Sequence, residues 1–267
     1  MAQNLNAFLE KQVAGRWGPS KNEANAISAL LLESLEYDEA AQRFTADCAA
    51  ARTPTDAQGH LPAMWKLVEN VARRYPEHQE KLVGLLDKVH RLPDLVIRGE
   101  TAVKWSELPF MVEGWDEIYN RPEDQHSEEI VSVIGFIAKL LAAELIPRDE
   151  FLRWVDLDMH TALEKGSEDL STLSKPDLVR VNVNVPIATQ WIRHAGPVIW
   201  NCEEHLDLPK REDALWQGSA GFSYPRWKFW KERATSVTES KLVSSQTRDY
   251  AKQMVEEMTS IEKKDGF

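Results

Sequence analysis

The chain has 267 residues, of which 43% are hydrophobic and 28% charged, a composition typical of globular proteins. Its formal net charge of -11 disfavours nucleic acid as a partner, because phosphate binding needs a concentrated excess of Lys and Arg. The most apolar run, Ile130 to Leu145, is interrupted by Ser132, Lys139 and Glu144. It is therefore not expected to cross a membrane.

The first residues show no basic start followed by an apolar stretch, so no secretory signal is expected. Two cysteines, Cys48 and Cys202, are too few for a disulfide framework and favour a reducing compartment. The cytoplasm is therefore the predicted location.

The spacing of apolar residues predicts helices along nearly the whole chain. They are expected from Ser20 past Leu35, from Asp38 to Arg52, Leu61 to Tyr75, Glu77 to Arg91, Ser106 to Asn120, Ser127 past Leu141, Arg148 to Lys165, Pro225 to Glu239 and Ser244 to Lys263. The helix beginning at Ser127 is the most apolar and is predicted to be central. These segments predict an all-α fold, a single domain over residues 1–267 with about nine helices packed as antiparallel pairs.

One segment is ambiguous. Residues 179–185 alternate as a strand would, yet Leu178, Val181, Val185 and Ala188 also follow helical spacing. Because no partner strand is evident, we predict a helix that is interrupted or started at Pro186. Residues 206–224 show no period, and a loop of that length is usually functional or mobile.

The sequence carries no phosphate-binding loop and only weak metal signals. Cys202 and His205 lack a second ligand pair with zinc spacing. Asp156 and His160 share a helical face, but such a pair is more often solvated or salt-bridged. No G-x-S-x-G motif indicates a nucleophilic serine, so a hydrolase has little support. No metal and no cofactor are expected.

The whole chain has ten tryptophans. The most informative aromatic and basic residues lie in its C-terminal part. Trp191 and His194 are helical neighbours, and His transfers protons near neutral pH. Further on, Trp227 and Trp230 share one face beside Arg226. Such a surface could stack a flat conjugated ring and hold its oxygen anion. Such a pattern is more often a Trp-rich core seam with Arg and Lys at its edge.

These segments resemble a fungal family, the oxopyrrolidine-biosynthesis-cluster-like proteins, long listed as a domain of unknown function. The run Arg226–Arg233 is similar to its R-W-x-F-W-x-x-R signature, and the similarity continues over residues 247–252 and 258–262. Residues 190–196 resemble its W-I-x-x-A-G element and residues 215–218 its W-x-G element. The similarity is clear over about residues 186–263.

The resemblance implies a place in fungal natural-product biosynthesis, in polyketide, terpenoid or meroterpenoid pathways. It suggests a cofactor-independent cyclase of the hetero-Diels–Alderase type, with dehydration of the substrate to a quinone methide left open. The expected partner is a hydrophobic small molecule, with a homodimer left open. The alternative is a non-catalytic helical protein that binds a partner or carries a pathway intermediate.

For the cyclase we assign His194 as the proton-transfer group, and Arg226 and Tyr224 as donors to a carbonyl or tropolonate oxygen. The expected substrate-binding walls are Trp191, Trp200, Trp227 and Trp230, with Trp65, Trp115 and Tyr119 on the opposite side. Such a reaction needs mainly orientation of its partners and a polarising donor.

Overall fold

The structure is a computed structural model that describes residues 2–113, 115, 128–202, 208 and 210–266. Its described residues form eleven α-helices and a single two-stranded sheet, which confirms the predicted all-α class. They group into two compact units, Met1–Tyr119 and Asn120–Phe267. The single domain over residues 1–267 stays a prediction. Among the described residues, no helix combines the length and the apolar character that crossing a membrane requires.

The described part of the first unit contains six α-helices and a hairpin. The helices are α1 (Ala2–Val13), α2 (Lys21–Leu31), α3 (Tyr37–Phe44), α4 (Ala46–Ala49), α5 (Pro54–Arg74) and α6 (Gln79–His90). As predicted, Ser20 and Glu23 form a reciprocal capping box at the start of α2. Thr53 caps α5, which begins about two turns before the predicted start because Pro54 occupies its first position. A 3-10 turn, Pro76–His78, separates α5 from α6.

The predicted helix from Ser106 to Asn120 is wrong in its described part. An antiparallel hairpin precedes it, β1 (Leu95–Ile97) and β2 (Glu100–Val103), and Ser106 lies inside a 3-10 turn, Trp105–Glu107. Leu108 and Phe110 then adopt left-handed conformations, with φ of 42° and 65°. Two such residues, on either side of a proline, stop a right-handed helix.

Over residues 128–202, 208 and 210–266, the second unit contains five further helices and a π-helical turn. The helices are α7 (Glu128–Ala142), α8 (Arg148–Met159), α9 (Lys175–Trp200), α10 (Tyr224–Glu239) and α11 (Ser245–Lys264), and the π turn is His160–Glu164. The ambiguous segment is helical, as predicted. However, α9 continues through both Pro186 and Pro197 instead of breaking at Pro186.

Helix α9, and not the more apolar α7, is the central element of this unit. It packs against α7, α8, α11 and the π turn. Two glycines permit its close packing: a Cβ on Gly196 would lie 2.5 Å from Cδ1 of Ile261 in α11, and one on Gly135 of α7 would lie 3.0 Å from Oε1 of Gln190. The pairs that pack most extensively therefore join helices that are distant in sequence.

Candidate functional site

The π turn and the end of α8 bring three ionisable residues of the second unit together. Asp156 lies in α8, and His160 and Glu164 open and close the turn that follows, so all three fall on one face. Two arginines hold the end of this segment through backbone carbonyls: Arg180 donates to Thr161, and Arg233 donates to Leu163, Ser167 and Glu168. Cations at the C-terminal end of a helix are favoured by its unpaired carbonyls.

Arg226 occupies the centre of a buried ion-pair network. Its Nε and Nη2 donate to the two carboxylate oxygens of Glu164 at 2.6 and 3.0 Å, and Nη1 donates to Asp156 at 2.7 Å and to the Gly221 carbonyl at 2.9 Å. The second oxygen of Asp156 accepts from Arg211 at 2.9 Å. Arg226, Glu164 and Asp156 are each no more than 4% exposed. Four hydrogen bonds use most of the five guanidinium donors.

The network sets the ionisation of Glu164. Burial alone raises the pKa of this carboxyl, but the hydrogen bonds from His160, Arg226 and Trp230 and the charge of Arg226 outweigh it and lower the pKa to about 2. Burial lowers the pKa of Arg226, because it disfavours the charged guanidinium. The hydrogen bonds and charges of Glu164 and Asp156 outweigh burial, so the pKa is raised overall. Both groups therefore stay charged near neutral pH.

Carboxylates also hold the indole N–H groups of this unit. Trp230 donates to Glu164 at 2.6 Å, Trp227 to Glu262 at 3.0 Å and Trp191 to Asp158 at 2.7 Å. Trp200 donates to Asp265. Each buried indole N–H needs a partner, and a fixed acceptor also fixes the plane of the ring.

Three of these tryptophans line a pocket of about 270 Å³, which we call the indole pocket. Its described walls are Ile199, Trp200, Asn201, Cys202, Phe222, Ser223, Tyr224, Trp227, Trp230 and Asp265. The centre of the Trp200 ring lies 5.1 Å from that of Trp227, with 65° between the two ring planes. It lies 5.7 Å from the centre of the Tyr224 ring, with 79° between the planes. The pocket is thus an aromatic corner, near the lower end of the usual size range for ligand sites.

The loop before α10 lies over the ion-pair network. The Leu215 N–H donates to the Glu164 carbonyl at 2.6 Å, and Lys165 pairs with Ala214 as an isolated bridge. Trp216 donates to the Ser219 carbonyl, and its ring covers Gly218, where a Cβ would lie only 2.2 Å away. This explains the W-x-G spacing: any side chain at Gly218 would collide with the indole.

The structure gathers four of the predicted residues, Trp200, Trp227, Trp230 and Tyr224, around the indole pocket. Arg226 is not among its described walls and stacks under the Trp230 ring, 5.0 Å from its centre. Because its donors are occupied by Glu164 and Asp156, the predicted role as donor to a substrate oxygen has no support from this geometry.

The remaining predicted residues lie elsewhere. Trp191 is a fully buried core residue, and the ring of His194 lies against α7, so neither is among the described walls of the indole pocket. Trp65 and Trp115 line a different pocket, of about 490 Å³, made of residues of the first unit. Tyr119 and His205 lie outside the described residues.

Among the described residues, no group of three or more His, Cys, Asp or Glu side chains is arranged to hold a metal ion. Asp156 is salt-bridged to Arg226 and Arg211, and His160 lies 3.4 Å from Glu164, so the pair considered for a metal belongs to the ion network. Cys48 and Cys202 are both buried and not disulfide-bonded.

Sequence reasoning missed the carboxylates Glu164, Glu262 and Asp265. Glu164 could have been found, since it follows Asp156 and His160 at spacings of eight and four on the same face. The acceptors for Trp227 and Trp200 could not, because they are 35 and 65 residues away.

Fold and site together define a predominantly helical protein whose C-terminal unit holds an aromatic pocket backed by buried ion pairs. A family model described as a protein of unknown function, DUF3632, matches residues 65–234. Because the match spans more than half of the chain, the chain belongs to this family. No curated protein and no solved structure matches it.

Proposed function

We propose that the C-terminal unit binds a small, flat hydrophobic molecule in the indole pocket. The observation that carries this proposal is the fixed corner of Trp200, Trp227 and Tyr224 around a space of about 270 Å³. The rings of Trp200 and Trp227, held by Asp265 and Glu262, lose little conformational freedom on binding, so more of the stacking energy is available for affinity. The binding or carrier function weighed from the sequence is therefore favoured over catalysis.

The test is the binding of 2-naphthol, followed by isothermal titration calorimetry and ligand-observed NMR. Replacing Trp200 by Ala removes one wall of the corner, and we expect at least a tenfold loss of affinity, about 1.4 kcal/mol. Trp17→Ala is the control, because Trp17 lines the pocket of about 490 Å³ in the first unit; this variant should bind 2-naphthol as the wild type does. Equal binding by Trp200→Ala and the wild type would refute the proposal.

A cofactor-free cyclase in fungal secondary metabolism remains the second candidate, favoured by the phenol of Tyr224 beside the indole walls. In this reaction an ortho-(hydroxymethyl)phenol loses water to give a quinone methide. Cycloaddition to an alkene then forms one C–C and one C–O bond. The pocket would orient the two partners, and Tyr224 would deliver the proton that expels water.

This candidate predicts faster adduct formation from such a phenol and an electron-rich alkene in the presence of the protein. Tyr224→Phe should slow the reaction by about 100-fold, in the range of general acid catalysis. His194→Ala should leave it unchanged, since His194 does not line the pocket. A rate no higher than that in buffer would exclude cyclisation of this substrate pair.

A further inference from the structure

We propose that the indole pocket selects an organic cation, a quaternary or protonated tertiary ammonium group attached to a compact hydrophobic body. The inference rests on the proposed function, since it names the ligand class of the same pocket. It runs against the oxygen anion expected from the sequence. Four features of the described residues support it.

The first feature is the aromatic wall. Trp200, Trp227, Trp230 and Tyr224 present indole and phenol rings around one small space. The face of an aromatic ring is its electron-rich side, and a cation within about 6 Å of a ring centre is attracted to it. Rings that meet at steep angles, as here, can contact one ammonium group from several directions.

The second feature is the set of acceptors behind the rings. Glu262 accepts from the indole of Trp227, Glu164 from that of Trp230, and Asp265 from that of Trp200. A carboxylate on the indole N–H pushes electron density toward the ring, which strengthens its attraction for a cation. Asp265 also lines the pocket itself and adds a formal negative charge there.

The third feature is the orientation of the helices. The C-terminal end of α9, from Ile199 to Cys202, lines the pocket, as does Asp265 at the C-terminal end of α11. Both ends carry the partial negative charge of the helix dipole, although the Ile199 and Lys263 carbonyls accept the N–H groups of Cys202 and Gly266. The N-terminal end of α10 also lies here and would favour an anion. However, Pro225 has no N–H, and Ser223 accepts the N–H groups of Arg226 and Trp227.

The fourth feature is the position of the positive charges. None of the described residues that line the pocket is Lys, Arg or His. Arg226 lies beneath Trp230, where Glu164 and Asp156 balance its charge, and Lys231 is paired with Glu262. Lys263 and Lys264 end α11 with exposed side chains. An anion in the pocket would face Asp265 without a cation in the described wall to offset it.

The experiment compares two ligands of the same shape, (3-hydroxyphenyl)trimethylammonium and 3-tert-butylphenol. They differ in charge and not in size, so their affinity ratio isolates the cation preference. Calorimetry on the full chain should give at least a tenfold tighter Kd for the ammonium compound. Asp265→Asn keeps an acceptor for Trp200. It should weaken the binding of the ammonium compound several-fold and leave the Kd of the neutral phenol unchanged.

The matched control is Asp249→Asn, which removes the same charge from an exposed position of the same helix. It should change neither affinity. Equal binding of the two ligands, or tighter binding of the neutral one, would overturn the cation preference and leave the proposed binding function standing. Failure of both ligands to bind would overturn both. Unchanged ammonium binding by Trp200→Ala would place the cation elsewhere and overturn the inference.

Discussion

At the scale of single residues, Glu164 connects the buried ion-pair network to the indole pocket. One of its oxygens accepts from both Arg226 and Trp230, and the other accepts from Arg226 and faces His160. It therefore neutralises the buried guanidinium and holds one ring of the indole pocket. A buried ion pair contributes little net stability when complete, but removing one partner leaves an uncompensated charge.

We therefore expect Glu164→Gln to lower the free energy of unfolding by about 3 kcal/mol, because Asp156, which already pairs with Arg211, cannot compensate the charge of Arg226 as well. Urea denaturation monitored by circular dichroism measures this change. The control is Glu232→Gln, an exposed residue 3.9 Å from Lys228, which should change stability by less than about 0.5 kcal/mol. Similar effects of the two variants would contradict a central role for Glu164.

At the scale of helices, the packing of α9 on α11 depends on Gly196. A glycine within a helix normally costs stability, because Ala loses less backbone entropy on folding. Gly196 is tolerated because the space a Cβ would take is filled by Ile261. The W-I-x-x-A-G element noticed in the sequence thus includes a residue that the helix crossing requires.

Two glycine variants separate this packing from helix propensity. Gly59, within α5, has no atom within 4 Å of an added Cβ, so Gly59→Ala should raise the free energy of unfolding by about 0.5–1 kcal/mol. Gly196→Ala should instead lower it by about 1 kcal/mol, because Ile261 must move. Thermal and urea unfolding measure both. An equal rise in the free energy of unfolding of the two variants would show that the contact between α9 and α11 accommodates a Cβ at position 196.

At the scale of the whole molecule, two buried carboxyl groups give opposite dependences on pH. Glu164, whose folded pKa is about 2, contributes stability that is present above its ordinary value of 4.5 and lost as the pH falls through 2. Glu23 is different: burial, partly offset by the Ser20 N–H and reinforced by Asp47, raises its pKa to about 7. Its protonated form is favoured in the folded state.

Stability contributed by protonated Glu23 is complete below pH 4.5 and declines as the pH rises through 7. The shift corresponds to roughly 3 kcal/mol. Glu23→Gln keeps the capping-box spacing and removes the titration, so the variant should lack this decline. Denaturant unfolding at pH 5 and pH 8 tests it. Parallel losses in the variant and the wild type would show that Glu23 is not the titrating group.

The sequence by itself determined the helical class and most of the helices of the second unit, because apolar spacing and Ser caps are local signals. Ser223 and Ser244 cap α10 and α11, and both helices start within one residue of the predicted starts. The local pattern gave no sign of the hairpin at residues 95–103, and at residues 105–110 a 3-10 turn and two left-handed residues replace the start of the helix expected from Ser106. Their conformation depends on contacts such as the bond from Trp65 to the Pro109 carbonyl, 44 residues away.

The run Arg226 to Trp230 shows most clearly what only the tertiary structure decided. Helical spacing correctly placed Trp227 and Trp230 on one face beside Arg226. It could not predict that the guanidinium of Arg226 would bind Glu164 and Asp156, which lie more than 60 residues earlier, and so would not face the pocket. A buried arginine binds the carboxylates that folding brings to it, and their positions follow from packing rather than from neighbours in the chain.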